Sequence, residues 1–516
     1  MKKEGYTARK TFVFPLLFTS LILLFSGCIN GGNQSSAEQW QAWVTKLTGN
    51  GYTVTNGSAF LVDSAGCTNF INVFGTCWGN NPAAPYIVPL PPVDNSYINP
   101  IYGTPFNTIT TNGNTVNLFY RLADTDALVT VVSLPPRAAY MGYQSYIFTR
   151  ETSSYPFPAL PANATPDPAR VQIFGSVGNN INSASLASQN SMNWGNGAAV
   201  FITTPNQTLA SALITNAIQS GMNSNNIFVE PLGSQLVTGR DALADDFISL
   251  IRYALPENTT AADAWRSAVA QNVRVYRVSL PTIAAQPYPQ PAYTTRQSLD
   301  ESGYQPALNE LSTLLSNWLA TQQLQAVTIT DMIPSVQVDP AGNLQGLVGS
   351  LCLTNGTSCL GDNQDTDSYR FGVIGLLAGN KTSIIAGVNH TVTNAATYIS
   401  LAINDQTTVK GVASLSQTNP GAAGFSSGSL TGSAATALTD LGLINSASPN
   451  LIANLPNLYV AFVSRNCTPG QTYCAQVNTA DVPLLNPISI IQRAYLKPGS
   501  TAGANPNLLL TPKIIQ

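Results

Sequence analysis

The sequence predicts a mixed α+β fold, with a β-meander and a βαβ unit in the N-terminal region and a strand-rich C-terminal region. Three observations carry this expectation. Asn112-Gly113 is a strong hairpin signal between short β-rich runs. Residues 198–230 read as apolar strand, amphipathic helix and apolar strand. After the helix ending at Gln323 the remainder reads as predominantly strand and loop. At 516 residues the chain divides by length into two or three domains of about 100–200 residues each. We place a mixed α/β domain over 37–280, a Pro-rich linker over 281–295, and a long helix plus β-rich domain over 296–516.

Ala37–Leu47 reads as a short helix, and Pro82–Pro105 as a proline-rich surface segment. Thr108–Leu134 forms the meander, in which Asp124-Thr125-Asp126 separates the strand Val116–Leu122 from Ala127–Leu134. Arg137–Arg150 (RAAYMGYQSYIFTR) is a strand with Tyr140, Tyr146 and Phe148 on one face and Met141, Tyr143 and Ile147 on the other, apolar enough to bury both. The βαβ unit follows: strand Ala198–Thr203, a helix with Leu209, Leu213, Ala217 and Ile218 at helical spacing, capped by Gly221, and strand Ile227–Glu230. Helices are expected at Asp241–Ala254 and Ala261–Ala270, then strand Val273–Leu280. Pro281–Pro291 (PTIAAQPYPQP) interrupts regular structure. The helix Pro306–Gln323 places Leu308, Leu311, Leu315 and Trp318 on one side, and Thr382–Asn389 and Thr397–Ile403 are the clearest later strands. No regular internal repeat is read from the sequence.

The chain opens with Lys2, Lys3, Arg9 and Lys10, an apolar run from Phe12 to Phe25, and Ser26-Gly27-Cys28. A basic head, a short apolar core and small residues before a scissile bond make an export signal. A transmembrane helix needs about 20 predominantly apolar residues, more than this run supplies. Phe25-Ser26-Gly27-Cys28 resembles the lipobox of bacterial lipoproteins, with Phe25 where an aliphatic residue is usual. The resemblance covers only the first thirty or so residues. It implies that residues 1–27 are a signal peptide, that Cys28 is lipidated, and that the chain is lipid-anchored to the cell envelope. Several acyl chains give stable anchoring where one would not. Ile29, standing where an Asp would signal retention, implies outer-membrane sorting. Residues 28–36 then read as a flexible tether.

With Cys28 assigned to lipid, six cysteines remain in three neighbouring pairs: Cys67 with Cys77, Cys352 with Cys359, and Cys467 with Cys474. An exported chain meets oxidising surroundings, so three local disulfides are expected. Zinc clips need CxxC spacing or several histidines, which this sequence lacks.

Charged residues are 9% of the chain, against about 25% in an average soluble protein. The net charge is −3, and loss of residues 1–27, with four basic side chains and one acidic, leaves −6. Without a Lys/Arg stripe to neutralise phosphates, nucleic acid is excluded as a partner. Gly375–Thr382 only grazes a phosphate loop, because Asn380 breaks the Gly-Lys step, so no nucleotide partner is expected.

Chemistry-bearing residues are few. A lone His390, just after a strand, is either a general base or a strand-end histidine hydrogen-bonded to backbone. Gly424-Phe425-Ser426-Ser427-Gly428 matches GxSxG literally but lacks the strand before it that a nucleophile elbow requires. Asn363, Asp365 and Asp367 alternate as at the start of a calcium loop, without the glycine and terminal glutamate of an EF-hand; calcium is the one cofactor considered. Asp241, Asp245 and Asp246 are read as helix-start carboxylates or members of a glycosidase pair. Arg137, Tyr140, Gln144, Asn389 and His390 form a candidate binding set if the strand 137–150 meets the segment around His390.

Three functional classes follow. A lipoprotein that binds a glycan or envelope component would present an exposed aromatic strip. A carboxylate-based polymer hydrolase would present a cleft with two acidic groups. A structural subunit of an envelope assembly would present an apolar patch and little cleft.

Overall fold

The computed structural model describes residues 36–94, 108–111, 113–151, 170–189, 193–292, 294–296, 299–323, 326–334, 361, 363–367, 369–379, 381–418 and 426–516. Among the described residues helices hold 25% and strands 37%, in several sheets, which makes the fold mixed α+β and strand-rich. The signal and lipidation residues, Cys352 and Cys359, and the first two residues of the GxSxG match lie outside the described residues.

In chain order the first half contains α1 (Ser36–Gly49), β1 (Thr53–Asn56), β2 (Ser58–Val62), α2 (Ser64–Phe74), β3 (Tyr86–Leu90), β4 (Thr108–Thr111), β5 (Asn114–Asn117), β6 (Asp126–Ser133), β7 (Ala138–Glu151), β8 (Arg170–Ser176), β9 (Ile181–Asn182), α3 (Ser183–Ser188), β10 (Ala198–Thr204), α4 (Gln207–Gln219), β11 (Ile227–Pro231), β12 (Asp246–Pro256), α5 (Thr259–Ser267), α6 (Val269–Asn272) and β13 (Val273–Ser279). The second contains α7 (Gln305–Gln323), β14 (Ile329–Asp331), β15 (Ile333–Pro334), β16 (Arg370–Leu376), β17 (Thr382–Val388), β18 (Tyr398–Asp405), β19 (Lys410–Ser416), β20 (Ser426–Ser429), α8 (Ser433–Asp440), α9 (Pro449–Asn454), β21 (Leu458–Ser464), β22 (Cys474–Gln476), β23 (Pro487–Tyr495) and β24 (Lys513–Ile515).

Local chemistry explains several ends. Asp63 caps α2 by accepting from Gly66 N, and Gly75, at φ 74°, ends it in the left-handed conformation. Asn206 caps α4 through Thr208 N and Leu209 N. β10, α4 and β11 form the expected βαβ unit with parallel strands. Both faces of β7 are buried, as its sequence predicts. Met141, Tyr143 and Ile147 enter the core between two sheets, while Tyr146 and Phe148 pack with Cys67 and Phe70 of α2.

Four expectations are corrected. Asp241–Ala254 is not a helix: β12 begins at Asp246 and pairs with β7 almost throughout, because its β-branched and aromatic side chains are buried on both faces. Val116–Leu122 is not a continuous strand, since β5 ends at Asn117 after a β4–β5 hairpin and only Tyr120 rejoins a sheet by bridging to Phe247. The described part of Pro82–Pro105 is no surface segment, for β3 is wholly buried and its Pro89 sits between antiparallel partners. The fourth concerns the repeat.

The two halves share one topology. Sheet order β1-β13-β6-β10-β11 in the first matches β14-β24-β17-β21-β22 in the second. In each, the first three pairings are antiparallel and the last is parallel. The partner sheets, β2-β3-β12-β7-β8 and β15-β16-β23-β18-β19, correspond strand for strand, with β20 added to the second. Sequence echoes accompany this: Val62-Asp63-Ser64-Ala65-Gly66 with Val338-Asp339-Pro340-Ala341-Gly342, Gly75-Thr76-Cys77-Trp78-Gly79 with Gly356-Thr357-Ser358-Cys359-Leu360-Gly361, and Ile248-Ser249-Leu250-Ile251-Arg252 with Ile488-Ser489-Ile490-Ile491-Gln492-Arg493. Leu255 and Leu496, each three residues past the arginine that closes the last pair, both hold the rare positive φ, 54° and 55°.

Each half is therefore a two-sheet sandwich with helices on one outer side. α1 and α4 cover the first five-stranded sheet through Trp43, Leu209 and Leu213, and α7 and α8 cover its counterpart through Leu308, Leu311, Leu315 and Leu438. The six-stranded sheets meet across a cluster that includes Tyr140, Tyr369, Tyr398, Ile491 and Tyr495. Residues 281–292 run back along the first half, where Gln286 O accepts from Gln207 N and Ala292 O from Asn179 Nδ2.

Candidate functional site at the junction of the two halves

Two loops cross between the halves, each carrying a left-handed glycine from one half onto the sheet of the other. In the first, Gly79 (φ 67°) donates its N–H to Val409 O at 2.7 Å, and its carbonyl accepts from Arg493 Nη2 at 2.6 Å. In the second, Gly361 (φ 73°) donates to Phe174 O at 2.8 Å, and its carbonyl accepts from Arg252 Nη2 at 3.3 Å. Val409 and Phe174 are themselves at positive φ, 48° and 46°. Asn81 Nδ2 donates to Tyr398 Oη at 2.7 Å, and Asn363 Nδ2 to Tyr146 Oη at 3.0 Å. Arg493 lies over the Tyr369 ring at 5.0 Å, and Arg252 over Tyr86 at 5.1 Å and Tyr146 at 5.4 Å. Stacking on aromatic faces offsets part of the cost of burying two guanidinium groups.

The second loop carries the acidic residues singled out in the sequence. Tyr140 Oη donates to Asp365 Oδ2 at 2.7 Å and Asn182 Nδ2 to Asp365 Oδ1 at 3.0 Å. Burial pushes the Asp365 carboxyl up to about 7, against the lowering effect of those two hydrogen bonds and of Arg252 and Arg296. Asn363 Oδ1 accepts from Asp365 N, and Asp367 Oδ1 accepts from Ala494 N. The candidate calcium ligands are thus turned toward protein donors. Among the described residues no group of three or more His, Cys, Asp or Glu side chains is placed to hold a metal ion.

Asp367 also approaches the lone histidine, with Oδ2 4.0 Å from His390 Nε2. His390 Nδ1 lies 2.9 Å from Glu301 Oε1, and Nε2 lies 3.2 Å from Gln492 Nε2. The ring is thus held by side chains rather than by backbone, and in its neutral form, with the amide donating to Nε2, Nδ1 carries the hydrogen that Glu301 accepts. Burial alone would lower the imidazole, but the charge and hydrogen bond of Glu301 raise it overall. Burial likewise opposes ionisation of Glu301, and its His390 and Thr393 partners override that and lower it. His390 is 1% exposed and Glu301 0%, so no reacting group reaches them from solvent.

The expected binding set is only partly assembled. Tyr140 and His390 are linked through the loop 363–367. Gln144 points the other way, donating to Glu230 at 3.1 Å, and Asn389 donates to Thr431. Arg137 is 70% exposed and pairs with Glu257 at 3.1 Å. Sequence reasoning missed Arg252, Arg493 and the two glycines; their signal was the repeated Ile-Ser-x-Ile run and the repeated Cys-x-Gly.

Asp245 and Asp246 serve as buried anchors rather than helix-start charges. Asp245 accepts twice from Arg150, at 2.6 and 2.7 Å, and Asp246 pairs with Arg121 at 2.7 Å and Arg170 at 3.0 Å. Asp241 accepts from Leu243 N and Ala244 N in a tight turn. Glu230 sits between the sheets of the first half, accepting from Ser145 N and Oγ and Thr203 Oγ1, with burial raising its carboxyl. Gly375 and Leu376 end β16 and Thr382 begins β17, strands of two different sheets, and Ser426 begins strand β20 rather than a turn. Cys67–Cys77 and Cys467–Cys474 are disulfides, with Cα atoms 5.5 and 5.8 Å apart.

On the outside, no Trp, Tyr or Phe among the described residues is exposed. The exposed apolar side chains are aliphatic. Ile333, Val373, Leu376, Leu484 and Leu485 are 61, 41, 55, 52 and 84% exposed. Ile333 registers with Phe371, two residues before Val373 on the same face, and Leu376 registers with Pro487, next to the Leu484-Leu485 turn. A shallow niche beside Trp40 and Arg274, and an open shelf between α1 and α4 at Gln41, Thr45, Lys46 and Gln219, carry no carboxylate.

No family model matches the sequence, and no curated protein matches it. Among solved structures, the chain is similar to an uncharacterised protein from Burkholderia cenocepacia over 93% of this chain and 97% of that one, at 10% identity and a TM-score of 0.32. That likeness is too low to define a shared fold.

Proposed function

We propose that this chain is an exported lipoprotein that binds a cell-envelope component and serves as a structural subunit of an envelope assembly. The observation that carries the reading is the aliphatic rim from Ile333 to Leu485, in a molecule where the carboxylates Asp365, Glu230, Asp245 and Glu301 are closed to solvent. Lipid at Cys28 anchors the chain, and outer-membrane sorting follows from Ile29 under the lipobox resemblance. The two disulfides and the low charge fit an exported protein. A glycan reading draws less support, since the aromatic platform it needs is missing from the described surface. A hydrolase reading needs two carboxylates across a cleft, whereas Asp365, Glu230 and Asp245 are buried.

The test is labelling with a fatty-acid analogue and membrane fractionation of wild type and Cys28→Ala, followed by native electrophoresis of a Leu376→Ser, Leu484→Ser, Leu485→Ser variant. The reading expects label and membrane retention to vanish in the first variant, and a high-mass complex to be lost in the second with the fold intact. A labelled Cys28→Ala chain, or an unaltered complex without the three leucines, contradicts it.

A further inference from the structure

We infer that the junction is a self-complementary docking surface of the homodimer type, so that the chain is two like subunits joined through the Pro-rich segment and each half recognises the other without that connection. The argument rests on reciprocity. Each half offers a left-handed glycine on a crossing loop and an arginine that receives the glycine of the other half: Gly79 to Arg493, Gly361 to Arg252. Each loop adds an asparagine that donates to a tyrosine across the junction, Asn81 to Tyr398 and Asn363 to Tyr146, a contact alike in kind although register makes Tyr140 the counterpart of Tyr398, so the glycine–arginine pairs carry the positional match. An isologous interface has this property, residue i meeting j and j meeting i. One unbroken domain has no reason to repeat it.

Both sides of each contact are buried. Arg252 and Arg493 are 2% exposed, and the tyrosines they face are all buried. The joining segment adds contacts of its own to the second loop, Gln364 Nε2 donating to Thr294 O at 2.5 Å and Arg296 Nη2 to Asn363 O at 2.9 Å, but residues 281–292 lie along the first half and the glycine–arginine contacts do not involve the segment. The corresponding strand orders and repeated sequence runs give the two faces a common origin. The occupant of each face is thus a unit of the same fold, here supplied in cis.

The experiment inserts a protease recognition sequence between Thr295 and Arg296 of the full chain, after the segment that binds the first half, and cuts the folded protein. The cut wild type is expected to run as one species in gel filtration and native mass spectrometry at about 1 μM. A cut Arg252→Ala, Arg493→Ala chain is expected to separate there, while the uncut variant keeps its far-UV circular dichroism. Should that variant fail to fold, Asn81→Ala with Asn363→Ala leaves both arginines in place and is expected to weaken fragment association about 30-fold. Fragments of the cut wild type that drift apart at 1 μM overturn the inference. So do asparagine variants that bind as tightly as wild type.

Discussion

Alanine at Gly361 tests the crossing loops most sharply. Gly361 is at φ 73°, where a side chain costs about 1–2 kcal/mol. A Cβ there would stand 2.9 Å from Cε1 and Cζ of Phe174. Phe174 cannot swing aside cheaply, because its ring packs against Tyr146 at 5.3 Å and Phe148 at 5.5 Å and its own backbone is at positive φ. Overpacking of this kind adds about 1–3 kcal/mol, so Gly361→Ala is expected to cost about 2–5 kcal/mol. Gly79→Ala has the same backbone strain, but its Cβ would meet the end of the Ile491 side chain at 3.3 Å and Arg493 Nη2 and Val409 Cγ1 at ordinary contact distances of 3.6 and 3.7 Å, so about 1–2 kcal/mol is expected. Gly113→Ala, at φ 76° with nothing within 4 Å, isolates the backbone contribution. Urea unfolding followed by tryptophan fluorescence ranks the three. If Gly361→Ala is no worse than Gly113→Ala, the loop is not clamped as described.

Arg150→Met leaves Asp245 buried without its cation and is expected to cost about 3–5 kcal/mol in urea unfolding; a loss below 1 kcal/mol would show that water reaches the site. Burial raises Glu230, so the folded chain holds that proton more tightly than the unfolded chain; the stability this contributes is complete below 4.5 and is lost as pH rises through the folded value. Glu230→Gln is expected to flatten that decline in unfolding midpoints measured between about pH 5 and pH 8, and parallel profiles for the two proteins would refute it. Replacing Cys67 and Cys77 by serine opens a short loop and is expected to cost about 2–3 kcal/mol by the same assay. The repeat pairs Cys359 with Cys77 in position, so peptide mapping without reductant is expected to recover Cys352 joined to Cys359; free thiols there would break the parallel.

Much of the architecture was legible locally. β7, the βαβ unit and α7 announce themselves by periodicity, because alternate or helical spacing of apolar residues is set by which faces are buried. β12 misled for a physical reason: a strand buried on both faces loses its alternation, and its Asp245-Asp246 start imitates a helix cap. β3 misled because proline normally marks an exposed edge. The duplication escaped because its echoes are brief and unevenly spaced, while strand order, which no local pattern encodes, preserves it. The junction was half visible. The sequence paired the strand 137–150 with the segment around His390, of which Tyr140 and His390 are joined through Asp365 and Asp367, but burial of Arg252 and Arg493 depends on contacts between the two halves that no local pattern encodes.

The claim that this molecule works through its exterior is tested most directly by a photo-crosslinking residue at Leu485 in intact cells, beside a control at Gln219. The account predicts one predominant adduct with another envelope protein from Leu485 and none from Gln219. Equal labelling from both positions, or no adduct from Leu485, would contradict it.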